Sequence, residues 1–264
     1  MGSATREALA QSKKALSDLE RVDLATVAEL FAAGRVVGDS GQLRSLLADP
    51  SAQPGVKATI VDRVFARSIG ASSLALLKDV VSARWSSQMD LLGGIEELGL
   101  RAAALSAGSD ARLEAQLFEF GTTVSSDPEL ELALGSKLGS QNAKLALVDT
   151  LLTGKGSPEI VEIVKHLVLQ PRGRRIGELL RHAASVVADQ GGFSVATVSS
   201  ARPLGAAQLE RLEKGLAAQY GRAIRLNQVV DPAVIGGLRV QVGDDVIDGS
   251  IASRLGELRL QLAG

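Results

Sequence analysis

Few side chains in this sequence could do chemistry, and their spacing argues against most of it. Gly154-Lys155-Gly156-Ser157 has the look of a phosphate loop. That loop needs a glycine five residues before the lysine and Ser or Thr directly after it. Thr150 and Gly156 stand at those places, so the segment reads as a helix end followed by a serine cap. Asp244, Asp245, Asp248 and Gly249 resemble part of a calcium loop, yet Val246 and Leu255 occupy positions that must supply oxygen ligands. A turn followed by a helix cap, with Asp248 or Ser250 as the capping residue, accounts for these acids better. The only histidines, His166 and His182, lie on different expected helices with no cysteine anywhere in the chain. They read as structural. Arg172, Arg174 and Arg175 cluster after Pro171. They fit a solvated turn, or alternatively a dock for an acidic partner segment. No Ser/His/Asp arrangement and no catalytic carboxylate pair follows from spacing.

Composition narrows the field further. The 264 residues carry 29 basic and 30 acidic side chains, so the basic excess of a nucleic-acid binder is missing. Aromatic residues make up 3%, too few for stacking on bases or sugars. Without cysteine there are no disulfides, zinc ribbons or thiol catalysis. Apolar runs are broken by Arg101, Lys144 or Lys165, so none spans a membrane, and the N-terminus lacks the apolar core of a signal peptide. No cofactor and no metal is expected.

Such a chain must be understood through its elements. Val27, Leu30, Phe31, Gly34 and Val37 form a helical stripe, and Leu74, Leu77 and Val81 form another. Asp127-Pro128-Glu129 and Ser157-Pro158-Glu159 share a start grammar, a capping residue before a proline at the first helical position. Residues 1–190 therefore read as helix. From Phe193 the period changes to two, and the order β-α-β-β-β-α is predicted over 193–262, after a hinge at Gly191-Gly192.

The helical region also repeats. A gapless shift of 87 residues aligns 24–101 with 111–188 and gives 13 identities. The polar and glycine matches carry the weight: Gly34 with Gly121, Lys57 with Lys144, Asp62 with Asp149, Lys78 with Lys165. The expected fold class is thus mainly α, two tandem helical bundles produced by internal duplication, followed by a small C-terminal α/β module. The expected domains are a six-helix bundle at 1–107, a second bundle at 108–190 and the α/β module at 191–264.

The module's pattern is specific. Ile235-Gly236-Gly237-Leu238-Arg239-Val240 is followed by Gly243-Asp244, then Ile247-Asp248-Gly249-Ser250, then Arg254-Leu255. This closely resembles the delta subunit family of bacterial F-type ATP synthase, which includes the mitochondrial oligomycin-sensitivity-conferring protein. Gly236, Gly237, Gly243, Asp244, Asp248, Gly249, Ser250 and Arg254 are the signature positions, and all can be structural; Gly237 and Gly249 in particular are expected to supply backbone freedom. The family plan is one six-helix bundle and a small α/β region, so the second helical copy at 110–190 is a departure from it. The resemblance implies a non-catalytic stator subunit at the cytoplasmic face of the bacterial cell membrane. It implies that the bundle grips N-terminal segments of alpha subunits, that the C-terminal region holds subunit b of the peripheral stalk, and that the link resists rotary torque. An amphipathic alpha-subunit helix would lie in a groove of the first bundle, with Arg6, Leu9, Leu77 and Arg84 as contacts, while the second bundle extends the bridge. An unrelated helical adaptor of a cytoplasmic complex is the alternative, and it would lack the signature.

Overall fold

The computed structural model describes residues 2–136, 139–234, 236–243 and 245–249. Two compact units divide the chain between Val187 and Ala188.

The first unit is helical: α1 (Ser3–Ser17), α2 (Leu24–Asp39), α3 (Gly41–Ala48), α4 (Pro54–Phe65), α5 (Ala71–Ser82) and α6 (Gln88–Ala107), then α7 (Leu113–Ser126), α8 (Pro128–Gly135), α9 (Gln141–Leu152), α10 (Pro158–Leu169) and α11 (Ile176–Gln190), whose last residues enter the second unit. Local chemistry starts these helices where the sequence places them. The Asp23 carboxylate accepts from Thr26 N at 2.9 Å, Ser40 Oγ from Leu43 N at 3.2 Å, and Asp127 from Glu129 N and Leu130 N. Pro54, Pro128 and Pro158 open α4, α8 and α10. Ser157 departs from its expected role. Its hydroxyl caps nothing, and its own amide donates to Gln116 Oε1 at 2.8 Å.

Helix bounds repeat at the 87-residue offset. α3, α4 and α5 map end to end onto α8, α9 and α10, and α2 ends where α7 ends. Lys57 and Lys144 are both buried. Lys78 pairs with Asp62 at 2.5 Å, and Lys165 with Asp149 at 2.7 Å.

One continuous apolar core runs through both helical sets, which were expected as separate bundles over 1–107 and 108–190. The join is made by α2, which packs on both α6 and α10. Close approach needs small residues there. A Cβ on Gly99 of α6 would lie 2.5 Å from the Phe31 ring, and one on Gly38 of α2 would lie 2.5 Å from Gln170. Phe31, fully buried, stacks on His166 of α10 with ring centroids 4.3 Å apart. Gln170 Nε2 donates to Arg35 O at 3.2 Å, and Ser106 Oγ donates to Glu159 Oε1 at 2.8 Å.

The second unit holds β1 (Phe193–Ser200), α12 (Ala206–Tyr220), β2 (Ala223–Val230), β3 (Leu238–Val242) and β4 (Asp245–Asp248), in sheet order β2-β1-β3-β4. β1 and β2 are parallel, joined through α12; β3 is antiparallel to β1 and to β4. Alternate residues Ala196, Val198, Val240 and Val242 face Ile224 and Leu216 in a small core. The terminal helix expected at 250–262 lies outside the described residues. Among the described residues no helix is long and apolar enough to cross a membrane.

Candidate partner-binding surfaces

The arginine cluster has an internal partner. Glu96 sits on α6 at 3% exposure, and Arg172 Nη2 lies 2.5 Å from its Oε2. Arg174 Nη2 donates to Oε1 at 2.8 Å and to Oε2 at 3.1 Å. His166 Nε2 stands 3.4 Å from the same carboxylate. The acidic dock considered for Arg172 and Arg174 is therefore a residue of this chain, and only Arg175 is left exposed. Burial alone would raise the Glu96 pKa. The His166 ring, then Arg172 and Arg174, outweigh it and hold the group down to about 2. His166 is pushed down by burial, only partly offset by Glu96, and stays neutral near pH 7. Arg172 has φ of 48°, a conformation that costs a non-glycine residue about 1–2 kcal/mol. The ion pair with Glu96 compensates for it.

Sequence reasoning missed Glu96, though a signal existed. Leu92 and Leu100, four residues to either side on the same helix face, are both buried. An acid between them had to be buried too and therefore needed a cation from another element. At the 87-residue offset Glu96 corresponds to Leu9, and Arg172 to Trp85. An apolar pair of positions in the first helical set is thus an ion pair in the second.

The other chemical candidates dissolve into structure. Gly154 has φ of 76° just past the end of α9, so Gly154–Ser157 is an interhelical turn. Asp245 and Asp248 bound the short strand β4. Asp244 and Ser250 lie outside the described residues, as does Arg254.

Of the signature glycines, Gly236, Gly237 and Gly243 have φ of 63°, 83° and 58°. Gly243 sits in the β3–β4 hairpin, where a left-handed residue matches the strand twist. Gly249 is not left-handed, which corrects the expectation of backbone freedom there. Its amide donates to Leu238 O at 2.8 Å, and a Cβ would sit 3.3 Å from that oxygen. Gly249 is constrained by a close neighbour rather than by φ.

Of the expected partner contacts, Arg6 and Arg84 are exposed and Leu9 is half-buried. Leu77 is 0% exposed, inside the core, because its face of α5 is the one that packs inward; it has no surface to offer a partner. α1 and α5 do lie side by side, tied by Gln11 Nε2 donating to Asp79 Oδ1 at 2.8 Å. Thr5 Oγ1 also donates to Ser86 Oγ at 3.0 Å just beyond α5.

Comparison with known proteins agrees with the signature. The family model described as ATP synthase delta (OSCP) subunit matches residues 99–262. It covers the second helical set, which the sequence pattern alone assigns as the departure from the family plan; residues 1–98 are the part outside it. The ATP synthase subunit delta of Leifsonia xyli subsp. xyli is 55% identical over 265 residues, covering 100% of both chains. Those of Streptomyces griseus and Thermobifida fusca are 40% and 36% identical, again over 100% of both chains. With relatives this similar along the whole length, and the family pattern running through α7–α11 and the sheet, the chain belongs to the ATP synthase delta (OSCP) subunit family, a non-catalytic, structural subunit of the F-type enzyme.

Proposed function

We propose that this chain is the stator connector of a bacterial F-type ATP synthase, on the cytoplasmic face of the cell membrane. Its helical unit binds the N-terminal segments of alpha subunits, and its C-terminal unit binds subunit b of the peripheral stalk, so that rotary torque is resisted. The two helical sets derive from one ancestral bundle, a reading supported by the repeated helix bounds and by the paired Lys78–Asp62 and Lys165–Asp149 bridges.

One observation carries the assignment of the alpha contact to the first set. The helix pair α1 and α5 is adjacent there. The pair in the corresponding place of the second set, α6 and α10, is covered by α2 through Phe31, Gly34 and Gly38. A partner helix therefore has access to the first pair and not to the second. Arg6, Leu9 and Arg84 border it, with Leu77 as packing support behind. The buried Glu96–Arg172 tie makes the two sets one body, which suits a part that must bear load without yielding.

The test is titration of a synthetic alpha-subunit N-terminal peptide against the full chain. Arg6→Glu combined with Arg84→Glu should weaken binding about tenfold or more while leaving the melting temperature in place. Peptide binding that ignores both charge reversals, or no binding at all, overturns the assignment.

A further inference from the structure

The α1–α5 groove has an occupied counterpart inside the molecule. At the 87-residue offset α5 corresponds end to end to α10, and α1 falls within α6. The α6–α10 seam is filled by the chain's own α2. The Phe31 ring stacks on His166 of α10, and a Cβ on Gly34 would lie 3.2 Å from Ile95 of α6 and 3.9 Å from His166. Phe31, Gly34 and Gly38 stand at i, i+3 and i+7, so they form one face of α2. The kind of helix that such a seam accepts is thus displayed by the chain itself. The two seams differ in chemistry at this contact. Asp79 stands at the place of His166, and Gln11 at the place of Leu98.

Asp79 is under-satisfied where it stands. Gln11 Nε2 donates to its Oδ1 at 2.8 Å, while Oδ2 is buried and accepts from no group among the described residues. A carboxylate offers about four acceptor positions, and one neutral amide fills only one of them. A desolvated anionic oxygen without a partner is costly. Gln11, by contrast, is exposed and can turn into water. The charges nearby are hydrated and mixed in sign. Glu7 and Lys14, one turn to either side of Gln11, are exposed and opposite in charge, as Arg84 beyond α5 is exposed, and Lys78 is held by Asp62. Water screens the exposed charges, so the buried oxygen of Asp79 is what selects an occupant, and it selects a cation.

We propose that Asp79 is the specificity-determining group of the α1–α5 groove, and that it takes a lysine or arginine of the docking helix, which displaces Gln11. This rests on the reading that an alpha-subunit segment docks there. The incoming helix lies on α1 and α5 as α2 lies on α6 and α10, with its basic side chain at the place that Phe31 holds over His166. An ammonium or guanidinium satisfies Oδ2 as well as Oδ1, with charge-assisted bonds stronger than the one from the neutral amide. A ring on an imidazole in one seam is replaced by a cation on a carboxylate in the other, so the two grooves call for different helices.

The probe is a synthetic N-terminal peptide of the alpha subunit from the same organism, titrated calorimetrically against the full chain. Each of its lysines and arginines is replaced singly by glutamine. One replacement should cost about tenfold in affinity for the parent and leave affinity for Asp79→Asn unchanged, the coupling expected of a direct pair. Asp79→Asn keeps an acceptor for Gln11, so its melting temperature should match the parent's, and it should bind the unaltered peptide about tenfold more weakly. Gln11→Ala should bind at least as tightly as the parent, because a competing donor is gone. A glutamine that merely ties α1 to α5 would instead lose binding along with the tie. If Asp79→Asn fails to fold, Gln11→Lys replaces it. Its ammonium occupies Asp79 from within the chain, and about tenfold weaker binding is expected. Undiminished binding by Asp79→Asn or its substitute, no basic position coupled to Asp79, or weaker binding by Gln11→Ala overturns the proposal. Those results leave the alpha-subunit reading standing where Arg6→Glu with Arg84→Glu still weakens the peptide. A peptide that binds no form of the chain overturns that reading, and the role of Asp79 with it.

Discussion

Replacing Glu96 by glutamine should cost the helical unit about 3 kcal/mol. Two routes arrive at that figure. A carboxyl held at about 2 against an ordinary 4.5 is worth about 3 kcal/mol at neutral pH, at roughly 1.4 kcal/mol per unit. Removing one partner of a buried ion pair costs about 3–5 kcal/mol, because the other charge is left desolvated and unpaired. Arg172 is only 14% exposed and bears that cost, while Arg174, at 32%, can turn to water, so the low end applies. The sign with pH follows. The folded pKa lies below the unfolded one, so the contribution is full above about 4.5 and disappears as pH falls toward about 2. Glu96→Gln should remove that acid-sensitive phase. The first helical set states the remedy: Leu9 and Trp85 occupy the corresponding positions. Glu96→Leu with Arg172→Trp should therefore recover most of the loss, since a buried pair can be exchanged for apolar residues at little cost. Urea unfolding is followed by fluorescence of Trp85, the native chain's one tryptophan and part of the helical unit, for the parent and Glu96→Gln, and by circular dichroism for all three proteins, since the double variant adds a second tryptophan. A Glu96→Gln loss below about 1 kcal/mol, or a double variant no better than the single, would refute the account of Glu96 as a buried tie.

Separate fragments 1–107 and 108–190 should not fold as stable bundles, because cutting between them exposes Phe31, Gly34 and the α6 face that packs on α10; circular dichroism melts with no cooperative transition would bear this out. Gly99→Ala should destabilise by about 1–3 kcal/mol in chemical denaturation despite alanine's helix preference, since its methyl meets the Phe31 ring at 2.5 Å. Gly121→Ala, with Leu180 no closer than 3.6 Å, should instead stabilise by up to about 1 kcal/mol. In the sheet unit, Gly237→Ala should cost about 1–2 kcal/mol because φ is 83°, measured by the same denaturation with a probe in that unit. Burial holds His166 below the ordinary histidine value of 6.5, so the unfolded chain takes up the extra proton and stability should already decline as pH drops through about 6.5. A flat unfolding profile between pH 7 and 5 would contradict this.

Periodicity and local start signals carry through to the structure because they act within a few residues. The stripe at Val27, Leu30, Phe31 and Val37, the Asp127-Pro128 start of α8 and the alternation of Leu238, Val240 and Val242 all appear as read. The same holds for the 87-residue offset, since a repeated pattern dictates repeated helices wherever they pack. The family signature was legible for the same reason: Gly236, Gly237 and Gly243 meet local turn requirements. What no local pattern could decide is which surface of one helical set lies on the other. That depended on tertiary packing: α2 entering between α6 and α10, Glu96 drawing Arg172 and Arg174 inward, and Leu77 turning into the core rather than toward a partner. Arg172 and Arg174 have the same composition and spacing whether solvated or buried. Only a carboxylate 76 and 78 positions away in sequence, brought within about 3 Å by the packing of whole helices, distinguishes a docking surface from a structural tie.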